Sequence, residues 1–518
     1  MTNKPQVIIP MSGVGKRFVD AGYYHLKPLI NIGNSRMINE VMNMFPGVDD
    51  PLFIISKDHK QSRELFSYLK EHWPKSIISE IGAHKFGPGH AIFESKEFID
   101  INRPSIVSYC DFTGNWNFES FCEELRKVDS LILTYTGFNP HMLRNTKYAY
   151  VQKNTDGIVT AIQEKNSFTD FPSLEEASAG LYAFSNGALL LDALNEQIKM
   201  NYSHMGEFYT SLTILPLLEK KMIVKTFLME RFAQFGTPED LKDWEYLYRS
   251  INANEIGILD IDLKPKRIES AIILAGGIGS RLADFSETPK PFIKIKNKEL
   301  WKYSNDAVVN SENNYLIIRK EFTRYVEKND NLTTEIIVLN NPTQGQADTA
   351  RYALGNITVL PGPVTFLSCD NYINKIDYEN AIEQLKIADL VVWTSTDYPM
   401  ARYKPNRYSW VDVKNNLVSG FSLKNLPLEY RNPRMIIGNF TFKNKEIANE
   451  LVQECFKTAD RFNSEIYLDS VIQIALELGY DVLAVNLDNF FAVGTQDELN
   501  TYLYYSTFRM SKNFAFDS

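Results

Sequence analysis

The chain is 518 residues long, 44% hydrophobic, 23% charged and 13% aromatic, with a formal net charge of −9. At roughly 100–200 residues per domain that length implies two to four domains, and the composition excludes a disordered chain or a fibrous repeat. The acidic balance, with no long Lys/Arg run, argues against a duplex-binding surface, and no stretch approaches the ~18 apolar residues of a membrane span.

The opening MTNKPQVIIPM has too short an apolar run for a signal peptide. Four scattered cysteines (Cys110, Cys122, Cys369, Cys455) without a CxxC indicate neither a disulfide framework nor a zinc site, so a reducing cytoplasm is the expected setting. QVIIP (6–10) reads as a buried strand ending at a glycine-rich turn, and MINEVMNMF has helical spacing. PLFIIS, SIISEI and SIVSYC follow as buried strands separated by amphipathic segments. TGFNPHML reads as a turn, with His141 a structural residue. YAYVQK, IVTAIQE and ASAGLYAF are strands joined by short turns, an antiparallel extension of a mostly parallel sheet. The seven histidines show no HxxxH or HExxH spacing, so no zinc site is expected. DWEYLYRSI then carries helical spacing and aromatic residues suited to packing.

From SAIILA (270–275) the pattern starts again, through NYLIIR, EIIVLN and VTFLSC to the aromatic YLYYSTF. Arg17 in PMSGVGKRF and Arg281 in LAGGIGSRL stand 264 residues apart, Lys27 and Lys290 263, and Asp111 and Asp370 259. Gly180 and Gly438, Glu207 and Glu465, and Gly236 and Gly494 are each 258 apart. Register held over six landmarks implies two homologous domains, 4–250 and 268–510, joined by a link at 251–267. Each is an α/β, Rossmann-like domain: a mostly parallel mixed sheet flanked by helices, with a small antiparallel extension.

The first strand of each unit runs into small residues and then an arginine. Without Cβ atoms the backbone N–H groups can approach a phosphate chain. Neither the P-loop nor the Rossmann glycine spacing is met, since Phe18 and Leu282 take the place of a third glycine. LAGGIGSRL followed by ETPKP (274–291) resembles the signature of the sugar-phosphate nucleotidylyltransferases, and IIPMSGVGKRF followed by LKPLI (8–30) is a variant of it. In the variant, Met11 and Ser12 stand where the second copy has Ala275 and Gly276. The resemblance covers nearly the whole chain, once per half. It implies transfer of a nucleotidyl group from an NTP to a sugar or polyol phosphate, with release of pyrophosphate.

On that resemblance, backbone around Met11, Ser12, Gly13 and Gly15, and around Ala275, Gly276, Gly277 and Gly279, cradles the triphosphate. Arg17 and Arg281 clamp the departing pyrophosphate, and Lys27 and Lys290 balance charge between attacking phosphate and α-phosphate. Asp111 and Asp370, at the ends of apolar strands, are the implied Mg2+ ligands. A second metal aspartate expected near the late Gly-Thr motif is replaced by Gln234 and Ala492. Gly87 and Gly345 match the base-binding loop, where Gln344 is placed to read base edges. Glu164, Lys165 and Gly180 match the acceptor contacts of the first half, and Lys424, Gly438 and Asn439 those of the second. There Leu423 replaces the glutamate, so the second site is expected to take a smaller or differently substituted phosphate, with Asn439 supplying a replacement polar contact.

Four readings stand beside one another: two active halves, one active half with a regulatory or assembly module, two binding modules, or a glycosyltransferase. Asp111 and Asp370 are not followed by the Asp-x-Asp of the last, and Arg, Lys and Asp recur in both copies, which favours two active halves. Expected partners are an NTP and a phosphorylated small molecule, with surface-polysaccharide precursors as the implied products; the nucleotide, and whether the chain forms a homo-oligomer, stay open.

Overall fold

The apolar runs become the centres of two nine-stranded sheets. They are seen in a computed structural model that describes residues 4–252, 267–277, 279–282, 286–308, 311–326, 334–373, 379 and 388–508. The chain divides into two units, one built on residues up to Glu245 together with the segment from Thr507, the other on Tyr246–Ser506. The link expected at 251–267 falls almost wholly outside the described residues.

In the first unit Gln6–Pro10 pairs in parallel with Leu52–Ser56 on one side and Ser105–Ser108 on the other, and Leu52–Ser56 pairs onward with Ile77–Ile81. The sheet turns antiparallel at Glu176–Phe184, which joins Ser105–Ser108, Ser130–Tyr135 and the hairpin Tyr150–Lys153/Val159–Gln163. Val224–Leu228 closes the edge in parallel with Ser130–Tyr135. Alternate residues of each central strand face opposite layers, because strand side chains have a period of two. Val7, Ile9, Phe53, Ile55 and Ile106 pack with the helices Ser62–His72 and Phe118–Leu125. Ile8, Leu52, Ile54 and Val107 pack with Pro88–Glu94 and Gly187–Lys199. Both faces are therefore covered, which is why these strands read as unbroken apolar runs.

The second unit repeats the scheme. Arg267–Ala275 lies in parallel between Ser311–Arg319 and Val364–Ser368, and Thr334–Leu339 extends it. Pro433–Phe442 is the antiparallel partner of Val364–Ser368, Leu390–Ser395 and Trp410–Lys414. Local signals repeat too. Asn186 and Asn444 each cap a helix, their side chains accepting the amides of Leu189 and Ile447 at 2.9 Å. Such caps satisfy an otherwise orphaned helix N–H.

In each unit a two-stranded ribbon sits at the carboxyl end of the central strands: Phe112–Asn115 with Arg231–Gln234, and Asn371–Ile373 with Phe490–Ala492. These ribbons set the late Gly-Thr segments beside Asp111 and Asp370, where open α/β sheets bind ligands.

Candidate active sites

Each first strand ends in a turn that closes over a lysine. Gly15 and Gly279 take left-handed backbone conformations, φ 64° and 72°. A Cβ on either would stand 3.3 or 2.7 Å from the Cβ of Lys27 or Lys290. Glycine is thus needed for both φ and space. Arg17 and Arg281 follow, exposed and facing their cavities; Arg281 donates to the Tyr467 hydroxyl at 3.3 Å. Gly13 and Gly277 lie exposed on the turns with open space beside them. Met11 and Ala275 are instead buried. The Met11 amide is already bonded to the Ile54 carbonyl at 2.7 Å, so it is not a free phosphate donor. Ser12 is half-buried at the turn, and Gly276 is packed close to Leu339 and Thr349.

Lysine and aspartate meet in both halves. Lys27 Nζ lies 2.6 Å from Asp111 Oδ2, and Lys290 pairs with Asp370 in the same way. All four side chains are only 12–27% exposed. Burial disfavours each ammonium, but the facing carboxylate outweighs it and both lysine pKa values stand above the ordinary value. Burial likewise opposes the Asp370 carboxylate, and Lys290 together with the Ser368 hydroxyl brings its pKa below the usual carboxylate range. Cys110 and Cys369 precede these aspartates, and burial pushes both thiols up to about 12. Gln234 donates to Asp240 at 3.1 Å, while Ala492 lies at the edge of the second cavity.

The base loops are stitched alike. Gly87 and Gly345, φ 86° and 125°, begin the helices Pro88–Glu94 and Gln346–Asn356. The segments around Phe208 and Ile466 bond to these loops from both sides, Phe208 N–H to Phe86 and Ile466 N–H to Gln344, at 2.7 and 2.9 Å. Gln344 is exposed and its side-chain oxygen is taken by Arg461 at 2.7 Å, whereas Gln346 lines the cavity. In the first half His84, His90 and Glu94 bring donor atoms within 4.8 Å of one another beside Gly87, a grouping their sequence spacing did not show.

The acceptor ends differ. The first cavity, about 390 Å3, is lined by Glu164, Lys165 and Gly180, and also by Arg144, Lys147 and Tyr209. Glu164 accepts from Ser211 Oγ at 2.6 Å and faces Lys165 at 3.4 Å. The second cavity is larger, about 660 Å3, and is lined by Lys424, Gly438, Arg407, Tyr467 and Asp469. Asn439 does not line it. Next to Gly438 on an alternating strand, it is fully buried, and its side-chain oxygen accepts from the Ser368 amide at 3.0 Å. It supports the strand end carrying Asp370 rather than replacing a lost acceptor contact. His141 is enclosed by Tyr135, Tyr148 and Phe232 and approaches the Tyr135 hydroxyl at 3.1 Å. Reading motif by motif missed Arg144, Arg407, Ser211 and Asp469; carrying the 258-residue offset along the chain pairs the last two.

A doubly covered α/β sheet with a glycine turn, an arginine, and a Lys–Asp pair at its carboxyl edge is the framework of a phosphate-transfer enzyme that binds a nucleotide. The chain belongs to the nucleotidyl transferase family, whose model matches residues 6–245 and again 270–503. It carries the family's domain twice, in agreement with the resemblance read from the two signatures. The chain is 24% identical over 285 residues to the "Bifunctional protein GlmU" of Clostridioides difficile (strain 630), covering 52% of this chain and 58% of that one. The protein of the same name from Fervidobacterium nodosum is 24% identical over 208 residues, 39% of this chain and 42% of that one. The chain thus spans about half the length of these relatives. A nucleoside-diphosphate-sugar pyrophosphorylase from Vibrio cholerae RC9 aligns at 19% identity and TM-score 0.40, over 46% of this chain and 99% of that one. Among the described residues no helix is long and apolar enough to cross a membrane.

Proposed function

We propose that both halves, 4–250 and 268–510, transfer a nucleotidyl group from an NTP to a sugar- or polyol-type phosphate, making two activated products. The observation that carries this reading is the duplicated Lys–Asp pair, held at the same strand end in each unit and faced by Arg17 or Arg281. An oxygen of the acceptor phosphate attacks the α-phosphorus, the bond to the bridging oxygen of the β-phosphate breaks, and pyrophosphate leaves with that electron pair. Both partners are anionic, so the step needs positive charge and fixed donors already in place. Arg17 and Arg281 hold the β- and γ-phosphates, the open glycine turns supply N–H groups, and Lys27 and Lys290 sit between the two phosphates. Glu164 and Lys165 orient the acceptor in the first half.

The donor set suits Mg2+ held mainly by substrate. Each cavity offers one aspartate at the strand end, and its lysine partner engages one carboxylate oxygen. That is too little for an all-protein cage but enough for a hard cation that keeps water and takes phosphate oxygens. Asp111 and Asp370 would hold it, and when bound it would neutralise charge building between the phosphates. The cytoplasmic setting and the supply of surface-polysaccharide precursors rest on cysteine usage and on the family resemblance.

A pyrophosphate-release screen of the full chain with Mg2+ tests the proposal. ATP, CTP, GTP, UTP and dTTP are crossed with glucose 1-phosphate, inositol 1-phosphate, glycerol 3-phosphate and phosphocholine. Two distinct activities are expected, one lost in Asp111→Ala and the other in Asp370→Ala. Transfer that survives Asp111→Ala unchanged for every pair would overturn the two-activity reading.

A further inference from the structure

The second half lost a glutamate and yet is not short of a carboxylate. In the first half Glu164, at the end of a strand, is bonded by Ser211 and paired with Lys165. The position 258 residues after Ser211 is Asp469. Asp469 accepts a hydrogen bond from Ser409 Oγ and lies 3.9 Å from Lys424 Nζ. Its side chain is 7% exposed, as is that of Glu164. The two lysines share a left-handed backbone, φ 64° and 52°, and each ammonium lies over a corresponding tyrosine ring, Tyr209 at 5.2 Å and Tyr467 at 4.8 Å. Carboxylate and lysine therefore line both cavities, and in each a serine hydroxyl bonds the carboxylate. The carboxylate and hydroxyl have exchanged chain segments: the carboxylate has moved from the hairpin to the short helix Leu468–Ser470, and the hydroxyl from the 210–213 helix to the start of the strand at Trp410.

We propose that Asp469, fixed by Ser409 and Lys424, is the hydroxyl-binding carboxylate of a second acceptor site, specific for a polyhydroxylated phosphate. This rests on the reading that the second half transfers at all. A nearly buried carboxylate beside a lysine has its charge matched, so it is poorly suited to bind a cationic aminoalcohol, which the ammonium also repels. Its remaining lone pairs can still accept hydrogen bonds from hydroxyls. The wider cavity has room for an acceptor at least as large as that of the first half. Carried by the Leu468–Ser470 helix instead of the hairpin, the carboxylate meets the acceptor from a different segment, which separates the two acceptors by position of substitution rather than by size.

The test uses the full chain carrying Asp111→Ala, so that remaining transfer belongs to the second half. With glucose 1-phosphate, inositol 1-phosphate, glycerol 3-phosphate and phosphocholine as probes, a hydroxylated acceptor is expected to be used and phosphocholine refused. Asp469→Asn should raise the acceptor KM about tenfold or more while leaving the nucleotide KM within about twofold. Because Asp469→Asn could disturb folding, Asp469→Ser is compared with Leu423→Glu/Asp469→Ser, which recreates the arrangement of the first half. The double variant should regain most of the acceptor binding that the single one loses. An unchanged acceptor KM in Asp469→Asn, no regain in the double variant, or phosphocholine as the preferred acceptor would each overturn the inference. If Asp111→Ala shows no transfer with any pair, the active second half itself fails, and this inference with it.

Discussion

Within either half, the phosphate end and the acceptor end follow different rules of repetition. At the phosphate end the turn glycine, the lysine and the aspartate recur in place: Gly15 and Gly279, Lys27 and Lys290, Asp111 and Asp370. At the acceptor end the lysine recurs in place, while carboxylate and hydroxyl trade elements, Glu164/Ser211 against Asp469/Ser409. Phosphate transfer demands a fixed geometry around a reacting phosphorus, and only a few backbone positions at the carboxyl edge of a sheet can supply it. A hydroxyl needs only an acceptor oxygen somewhere on the cavity wall. The same charge balance can then be met from a strand or from a short helix.

The largest expected effect breaks the duplicated end. Asp370→Ala should lower the second activity by at least about a hundredfold and leave the first within about twofold, with Asp111→Ala as the mirror image. Separate steady-state assays of the two transfers check this. Equal loss of both in either variant would mean that the halves do not work as independent sites.

Next in size is the base loop. A Cβ at Gly345 would stand 2.5 Å from the Ile466 carbonyl oxygen and 2.7 Å from its nitrogen, at φ 125°. At Gly87 the nearest backbone atom is 3.0 Å away, at φ 86°. Gly345→Ala should destabilise its unit by about 2 kcal/mol or more, and Gly87→Ala by less. Calorimetric unfolding of the two variants gives the order. The reverse order would mean that the segment around Phe208 is the more rigid support.

Much of this was legible before any coordinates. The central strands stand out because burial on both faces makes them continuous apolar runs, and the repeat marks every residue that recurs in place. Glycines at Gly15 and Gly345 are visible as glycines, though not which backbone they must avoid. Asn439 misled because sequence does not show which face of a strand points at a cavity; one step from Gly438 reverses the face. Asp469 was invisible as a partner of Lys424 because the match to a motif is made position by position, whereas the compensation crosses between segments. Gln344 looked available because its Arg461 partner is 117 residues away in sequence.

A smaller contrast concerns acid. In the first half His141 is enclosed, and burial, with Arg144 nearby, pushes its pKa down to about 3. In the second, Pro399-Met400 stands where the first has Pro140-His141. Unfolding releases the imidazole to an ordinary pKa near 6.5, so between about 6.5 and 3 the unfolded chain binds the extra proton. Stability therefore falls as pH drops through that window, by about 1–2 kcal/mol at pH 5. His141→Met removes this slope. Its melting temperature should lie below wild type at pH 7.5, through loss of the Tyr135 contact, and close the gap at pH 5. A gap constant with pH would show that His141 is not held neutral by its surroundings.

The finest contrast lies in Lys424. Burial lowers its pKa below the ordinary lysine value; Asp469 opposes that shift, and Arg281 adds to it. A lysine with a depressed pKa carries its charge below that pKa and loses it as pH rises. Binding of the acceptor phosphate by the second half should therefore weaken on the alkaline side while nucleotide binding holds. The effect should grow as pH rises, at about threefold in acceptor KM per pH unit at its onset. Lys424→Arg keeps the charge across this range, because guanidinium does not titrate there, and should flatten the alkaline limb even if its different shape raises KM overall. Asp469→Asn should move the limb to lower pH, since it removes the carboxylate that favours the ammonium. A limb that stays put in Asp469→Asn would separate Lys424 from Asp469 in function, and the acceptor wall of the second half would then rest on the lysine alone.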